Sequence, residues 1–194
     1  MPAFRSLPLF LAAMFLVTEP AMAEEAQTVR SFFTDELSVH MDVPPDVLWE
    51  EIKSMYVDAD KFRRLGFTVE PVKDPVAYLG GTRISLIDET TGEADIRTAH
   101  FSAIDDKKRF LALRAVYNSG ISAFASYQVR PEGEGSSFQL IAHGQVPVTL
   151  PAGVEPTQAS VRAAMAPVIA EHERALREIW AEEKERIEAM VNDR

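Results

Sequence analysis

The histidines are the side chains in this sequence best suited to acid–base catalysis or metal binding. The chain has four histidines and no cysteine, so thiol nucleophiles, cysteine-ligated metal sites and disulfides are excluded. No two histidines are two or four residues apart, the spacings that place metal ligands side by side on a strand or a helix. The nucleophile-elbow, Walker and dinucleotide-binding glycine motifs are also absent from the sequence. We therefore expect neither a metal site nor a cofactor.

His100 is the histidine with the strongest functional signal. Strand side chains alternate between faces, and this parity groups it with four neighbours on one predicted inward face: Ile96, Thr98, Ser102 and Ile104. A histidine on such a face could hydrogen-bond a ligand oxygen or act as an acid or base near neutral pH. The alternative is a structural histidine, satisfied by Thr98, Ser102 or a buried water, or one that lies on the outer face.

Three other polar residues could assist His100. Arg83 begins a predicted strand and could pair with an acidic ligand, although a surface salt bridge is the alternative. Tyr117 and Tyr127 could each place a hydroxyl at one end of a pocket, but tyrosine is also common in ordinary cores. The remaining histidines give weaker signals. We expect His143 on the outer face and His172 in the core, and His40 gives no signal.

The pattern of apolar residues predicts the elements that would position these side chains. Residues 36–43 read as a strand, residues 44–55 and 58–65 as a pair of helices, and residues 67–148 as six strands separated by turns. A long helix follows Thr157. Its apolar face is predicted to carry Met165, Val168, Ile169, His172, Leu176, Ile179, Ile187 and Met190. Short connections favour an antiparallel meander, whose apolar face must be covered by the long helix.

The strand parity also predicts which residues face that helix. The inward sets include Leu111, Leu113 and Tyr117 on one strand, Ala123, Ala125 and Tyr127 on the next, and Leu140, Ala142 and Gly144 on the last. Several of these side chains are small and would leave space, so an apolar pocket bordered also by Val168 and Leu176 is one interpretation. The other interpretation is that the helix simply packs closer there.

The first segment is predicted to direct export. Residues 1–23 combine Arg5 with a short apolar run and end in Ala21-Met22-Ala23, which fits a signal peptide cleaved after Ala23. Residues 24–194 would then form one domain, periplasmic or secreted, without a membrane span. The formal net charge is −10, which disfavours nucleic acid and anionic lipid surfaces as partners.

The order of the elements resembles the START-like, Bet v 1-like (SRPBCC) superfamily, in particular its polyketide cyclase/dehydrase and lipid-transport branch. Three segments carry the resemblance: residues 43–49 at the start of the first helix, residues 80–83 at a strand start, and residues 124–131 in the late hairpin. The resemblance spans about residues 36–190. It implies an α+β helix-grip fold, in which a curved antiparallel sheet wraps around the long C-terminal helix.

The resemblance also implies a cavity between sheet and helix, and we consider three functions. The first is an exported binding protein for a hydrophobic or amphipathic small molecule such as a lipid, quinone or isoprenoid. The second is a cyclase/dehydrase-type enzyme with His100 as acid or base, oriented by a tyrosine or Arg83. The third is an accessory protein of a periplasmic enzyme system, with the charged segment after Ile179 as its contact surface.

Overall fold

The computed structural model describes residues 26–64, 68–71, 81–87 and 94–192, and for residues 81–87 it describes the backbone alone. The predicted leader and the side chain of Arg83 therefore lie outside the described part. The elements follow along the described chain in this order: β1 (Gln27–Met41), α1 (Pro45–Val57), α2 (Ala59–Arg64), β2 (Thr68–Pro71), β3 (Gly81–Ile87), β4 (Ala94–Asp105), β5 (Phe110–Tyr117), β6 (Ser122–Glu132), β7 (Gly135–Leu150) and α3 (Gln158–Asn192).

The strands form one antiparallel sheet in the order β1-β7-β6-β5-β4-β3-β2. From β2 to β7 each strand pairs with the next along the chain, as short connections require. β1 then pairs with β7 over its full length, from Gln27 opposite Leu150 to Met41 opposite Ser136. With the long α3 helix packed on this sheet, the predicted α+β helix-grip fold is confirmed.

β1 begins nine residues before the strand that the sequence predicted, at Gln27 instead of Glu36. The inner face of its first half carries Val29, Ser31, Phe33 and Asp35, so that polar and apolar residues alternate along it. Polar residues at buried positions weaken the alternating pattern from which strands are predicted. The early part of β1 was therefore missed because its inner face is partly polar.

Helix α1 closes one end of the molecule. It begins directly after Pro44, and Asp46 lies in its first turn, where a carboxylate is favoured by the helix dipole. Leu48, Trp49, Ile52 and Met55 are its buried residues, which lie on one face at helical spacing. Trp49 Nε1 donates a hydrogen bond of 2.8 Å to Asp106 Oδ1 in the turn after β4, which ties the helix to the sheet.

Helix α3 runs for 35 residues, and Pro167 lies inside it without dividing it. Its buried side chains are Met165, Leu176, Trp180, Glu183 and Ile187. The segment after Ile179, predicted as a possible contact surface for another protein, is thus packed on its own domain. Glu188 also holds the chain near α1, since its Oε1 accepts a hydrogen bond of 2.8 Å from the backbone N–H of Asp42.

No helix in the described part of the chain is long and apolar enough to cross a membrane.

Candidate functional site

A small cavity lies between the inner face of the sheet and the helices α1 and α3. Its volume is about 80 Å³, which is room for a few water molecules and far below the several hundred Å³ of typical ligand pockets. Its lining is mostly apolar and comes from five strands and two helices: Phe33, Asp35, Tyr56, Arg97, Leu113, Ala115, Tyr117, Ala123, Ala125, Tyr127, Leu140, Ala142, His172, Leu176 and Trp180.

The space exists because small side chains lie opposite one another across the sheet. Directly paired residues in an antiparallel sheet share a face, and the register aligns Ala142 with Ala125 and Ala123 with Ala115. Gly144 belongs to the same set, but the Phe33 ring occupies the space above it. A Cβ at Gly144 would lie 2.5 Å from that ring. The predicted small inward residues thus make a cavity beside Phe33, and not beneath it.

Arg97 brings a positive charge to the wall of the cavity. It is 8% exposed and lies directly opposite Tyr117 in the β4–β5 register. Burial raises the pKa of the Tyr117 phenol, and the charge of Arg97, together with its hydrogen bond to that phenol, opposes the rise. The Arg97 guanidinium and the Tyr117 phenol therefore lie side by side at the cavity wall, where both could hydrogen-bond an oxygen atom of a ligand.

Tyr56 and Tyr127 form a second polar group. Their ring centroids are 4.2 Å apart, and their hydroxyl groups share a hydrogen bond. Burial raises the pKa of Tyr127 to about 12, despite the opposing effect of that hydrogen bond. Burial also raises the pKa of Tyr56 well above its ordinary value. Both phenols therefore stay neutral at physiological pH and can offer a ligand only hydrogen bonds.

Asp35 and His172 form the third polar group, which connects β1 to α3. His172 Nε2 lies 2.8 Å from Asp35 Oδ2, and their side chains are 10% and 11% exposed. A histidine that contacts a carboxylate is the arrangement of a general acid or base with its orienting residue. The sequence predicted His172 in the core, and its side chain does lie in the interior, where its ring contacts a carboxylate at the cavity wall.

Eight of the residues predicted to bind a ligand lie at the cavity. They are Leu113, Tyr117, Ala123, Ala125, Tyr127, Leu140, Ala142 and Leu176. Leu111 is fully buried, and Val168 is partly buried, but neither lines the cavity. These placements show which side chains surround the space, and a role in binding remains a prediction for each.

The orientation predicted for β4 is wrong over most of that strand. Its buried residues are Arg97, Ala99 and Phe101, which face the inner residues of β5. His100 lies opposite the exposed Arg114, and Ile96 and Thr98 share its outer face. His100, Thr98 and Ile96 therefore do not line the cavity.

The physical reason is one extra residue in β4. Phe101 pairs with Leu113, whereas Ala103 pairs with Ala112, so Ser102 has no direct partner in the register. Such a β-bulge exchanges the two faces of the strand on one side of it. Ile104 faces inward as predicted, opposite the buried Leu111. The residues before Ser102 each lie on the face opposite to the predicted one.

Sequence analysis did not predict Phe33, Asp35, Tyr56, Arg97 or Trp180 at the site. Phe33 and Asp35 lie in the unpredicted half of β1, and Arg97 was assigned to the outer face because of the bulge. Trp180 is 2% exposed, and its ring centroid is 4.2 Å from that of Phe138. It follows Leu176 at helical spacing, and this was the signal that could have placed it on the inner face of α3.

The other histidines lie away from the cavity. His143 is exposed, as predicted, and its Nδ1 lies 3.0 Å from Thr34 Oγ1. His40 lies between Asp42 and Glu132, and hydrogen bonds to Glu132 and then Asp42 raise the pKa of its imidazole. Among the residues that the structure describes, no group of histidine and carboxylate side chains could hold a metal ion.

Neither a protein-family model nor a curated protein sequence matches the chain. Solved structures do match it. The ZhuI aromatase/cyclase from a Streptomyces species is 20% identical, with a TM-score of 0.51, over 80% of this chain and 95% of that one. The protein DR_A0006 from Deinococcus radiodurans is 14% identical, with a TM-score of 0.50, over 81% and 98% of the two chains. The chain has a START-like fold.

Within this START-like fold, the sheet and α3 enclose the space that the resemblance implied. The likeness extends over nearly the whole length of both solved structures, so it concerns the complete fold and not one motif. At identities this low it describes the architecture alone. The chemistry of the site must therefore be inferred from the side chains of this chain.

Proposed function

We propose that this protein binds a hydrophobic or amphipathic small molecule between the sheet and α3. The observation that supports the proposal is the composition of the cavity wall. Small and apolar side chains such as Ala123, Ala125 and Leu140 form most of it, and Arg97 and Tyr117 form one polar end. Such a site favours a ligand with an apolar body and one oxygen-bearing group. A lipid, quinone or isoprenoid has this character.

Binding of a molecule of that size requires the site to open. The cavity of about 80 Å³ cannot hold even one isoprenoid chain, so part of its wall must move. The α3 residues His172, Leu176 and Trp180 form one side of it. Displacement of α3 from β1 would enlarge the space without disturbing the pairing of the strands. We infer that α3 moves away from β1 when the molecule binds.

We also propose that the protein acts outside the cytoplasm. The support is the signal-peptide pattern of residues 1–23, with a small residue at the predicted cleavage position, Ala23. N-terminal sequencing of the protein purified from its own cells should find Glu24 as the first residue. A cell-associated protein that retains Met1 would contradict this part of the proposal.

Native mass spectrometry of the gently purified protein tests the binding function. We expect a non-covalent adduct with the mass of a lipid-sized molecule. Ala125→Leu should abolish the adduct, because the larger side chain fills the cavity. The substitution should lower the free energy of unfolding by about 1–3 kcal/mol. Ala163→Leu, at an exposed position of α3, is the matched control and should keep it. An apo protein, or equal adducts in both variants, would count against binding in the cavity.

The Asp35–His172 pair favours a second function, acid–base catalysis on the bound molecule. In that case His172 would exchange a proton with a substrate oxygen or carbon, and Asp35 would orient the imidazole and stabilise its charged form. This candidate replaces His100, which faces away from the cavity. Cyclisation followed by loss of water is one reaction that such a pair could promote, and Tyr117 could position the substrate oxygen.

Two histidine variants separate catalysis from binding alone. On a substrate identified from the adduct, His172→Gln should lower kcat by about 100-fold or more if the imidazole transfers a proton. His100→Gln, on the outer face of the same sheet, should leave kcat unchanged. Equal turnover by the His172 variant and the unaltered protein would leave binding as the function.

A further inference from the structure

A second depression lies on the surface, between the free edge of β1 and the first turns of α3. We call it the β1–α3 crevice. Val29, Arg30 and Phe32 of β1 form one side, and Val161, Arg162 and Met165 of α3 form the other. Its volume is about 550 Å³, several times that of the interior cavity, and the proposed ligand site does not share these residues.

The edge of β1 along the crevice carries backbone groups that pair with no other strand in the described part of the chain. β1 is the outermost strand of the sheet, and β7 is its only partner among the described strands. In an antiparallel edge strand, alternate residues direct their N–H and C=O groups away from the sheet. Such an edge can accept a further strand from another chain.

The side chains around this edge are unusually apolar for an exposed surface. Phe32 is 75% exposed, the highest value of any large hydrophobic residue in the described chain. Val29, Val161 and Ile169 are partly buried residues that pack against the core beside it, and Met165 is 4% exposed. The crevice therefore has an apolar floor and a phenylalanine at its rim.

The charge of the crevice is opposite to that of the whole protein. The chain has a net charge of −10, yet the lining contains two arginines and no carboxylate. Arg30 contacts the Gln145 amide oxygen at 3.5 Å. Neither Arg30 nor Arg162 takes part in an ion pair with any described residue, whereas Arg109, Arg174 and Arg186 each do. Two cations that pair with no carboxylate in the described part of the chain, beside an apolar floor, complement an acidic and apolar ligand.

We propose that the β1–α3 crevice binds an extended segment of another protein, which adds to β1 as a further strand. About four to six residues would span it, at roughly 3.3 Å per residue. Alternate side chains would point into the floor, and carboxylates on the segment would pair with Arg30 and Arg162. A second copy of this chain is a poorer occupant, because symmetric pairing of two β1 edges would bring arginines of like charge together.

Synthetic peptides test the proposal on the full-length mature protein. The probe is a hexapeptide that alternates valine with aspartate, and the control peptide alternates valine with lysine. We expect the acidic peptide to bind at least tenfold more tightly. Hydrogen exchange should slow at the β1 amides between Val29 and Phe32 when the acidic peptide is bound, because strand addition protects edge amides. No binding of the acidic peptide, or equal binding of the two, would overturn the proposal.

Variants at exposed positions locate the contact without risk to folding. Arg30→Glu and Phe32→Ser should each weaken binding of the acidic peptide by about tenfold or more. Arg130→Glu is the matched control, because Arg130 is exposed, lies on the same sheet and, among the described residues, hydrogen-bonds through its side chain only to Gln128. Unchanged affinity in the Arg30 and Phe32 variants would reject this crevice as the contact.

Two other occupants give distinct results. Analytical ultracentrifugation that finds a dimer dissociated by Phe32→Ser would show that a second copy occupies the edge, and would overturn the proposal. Co-sedimentation with phosphatidylglycerol vesicles that requires both Arg30 and Phe32 would assign the surface to a membrane, with the same consequence. Neither result would alter the test of the interior cavity, which uses different residues.

Discussion

Asp35 of the edge strand and His172 of the C-terminal helix contact each other where the interior cavity adjoins a depression on the surface. A depression of about 260 Å³ runs along the outside of β1, and both Asp35 and Leu176 line this depression as well as the cavity. The contact of 2.8 Å between the two side chains therefore lies between solvent and the proposed binding site. A ligand that enters between β1 and α3 must pass this pair.

Asp35→Asn should loosen this junction. The substitution keeps the shape of the side chain and removes its charge, so the free energy of unfolding should fall by about 1–3 kcal/mol at neutral pH. Uptake of the apolar dye anilinonaphthalene sulfonate should become faster, as stopped-flow fluorescence would show. Arg174→Gln is the control, because its pairs with Glu171 and Glu178 are exposed to solvent and should contribute little to stability. If the Asp35→Asn variant kept the stability and the rate of dye uptake of the unaltered protein, the Asp35–His172 pair would not control entry to the cavity.

Asp106→Asn should destabilise the protein in a pH-dependent way. Hydrogen bonds from Lys53 and then Trp49 lower the pKa of Asp106 from 3.8. Because the folded pKa is lowered, the stability due to this carboxylate is complete above pH 3.8 and is lost as the pH falls through the folded value. Urea unfolding followed by tryptophan fluorescence should show a deficit at pH 7 that disappears in acid. A deficit of the same size at pH 7 and at pH 3 would contradict this assignment.

The buried phenols should resist ionisation. The pKa of Tyr127 is about 12, and those of Tyr56 and Tyr117 are also raised by burial. Since the unfolded phenols ionise near pH 10, the stability that they provide is complete below that pH and is lost as the pH rises above it. Phenolate absorbance of the folded protein should show a step near pH 12 that Tyr127→Phe removes. The idea fails if every phenol titrates near pH 10 while circular dichroism still reports a folded chain.

Removal of residues 181–194 should unfold or severely destabilise the protein. This segment is charged, but Ile187 is fully buried and Glu183 is 7% exposed. Ile187→Ala alone should lower the free energy of unfolding by about 2–5 kcal/mol. Glu185→Ala, at an exposed position of the same turn, should change it by about 0.5 kcal/mol or less. A truncated protein with unchanged thermal unfolding would indicate that the segment is a free extension.

Most of the architecture could be predicted because it depends on patterns that repeat over many residues. The alternation on β5, β6 and β7 placed Leu113, Ala125 and Leu140 correctly on the inner face. Short connections between successive strands predicted the antiparallel meander, and the long helix was the one amphipathic element able to cover it. The polar half of β1 was missed because its inner face carries Ser31 and Asp35.

The polar part of the site could not be predicted because it depends on contacts between distant segments. Asp35 and His172 are 137 residues apart in the chain, and neither has a local motif that indicates the other. Arg97 was misplaced for a different reason, since a single unpaired residue at Ser102 exchanges the faces of β4. Periodicity alone does not reveal such an insertion.

The bulge at Ser102 also decides how β4 tolerates a change in its length. Phe101 pairs with Leu113 and Ala103 pairs with Ala112, and Ser102 is the extra residue between them. Deletion of Ser102 would make these two pairs consecutive and would keep Arg97 opposite Tyr117. The bulge is therefore a point at which the strand can lose one residue without removing the positive charge from the cavity wall.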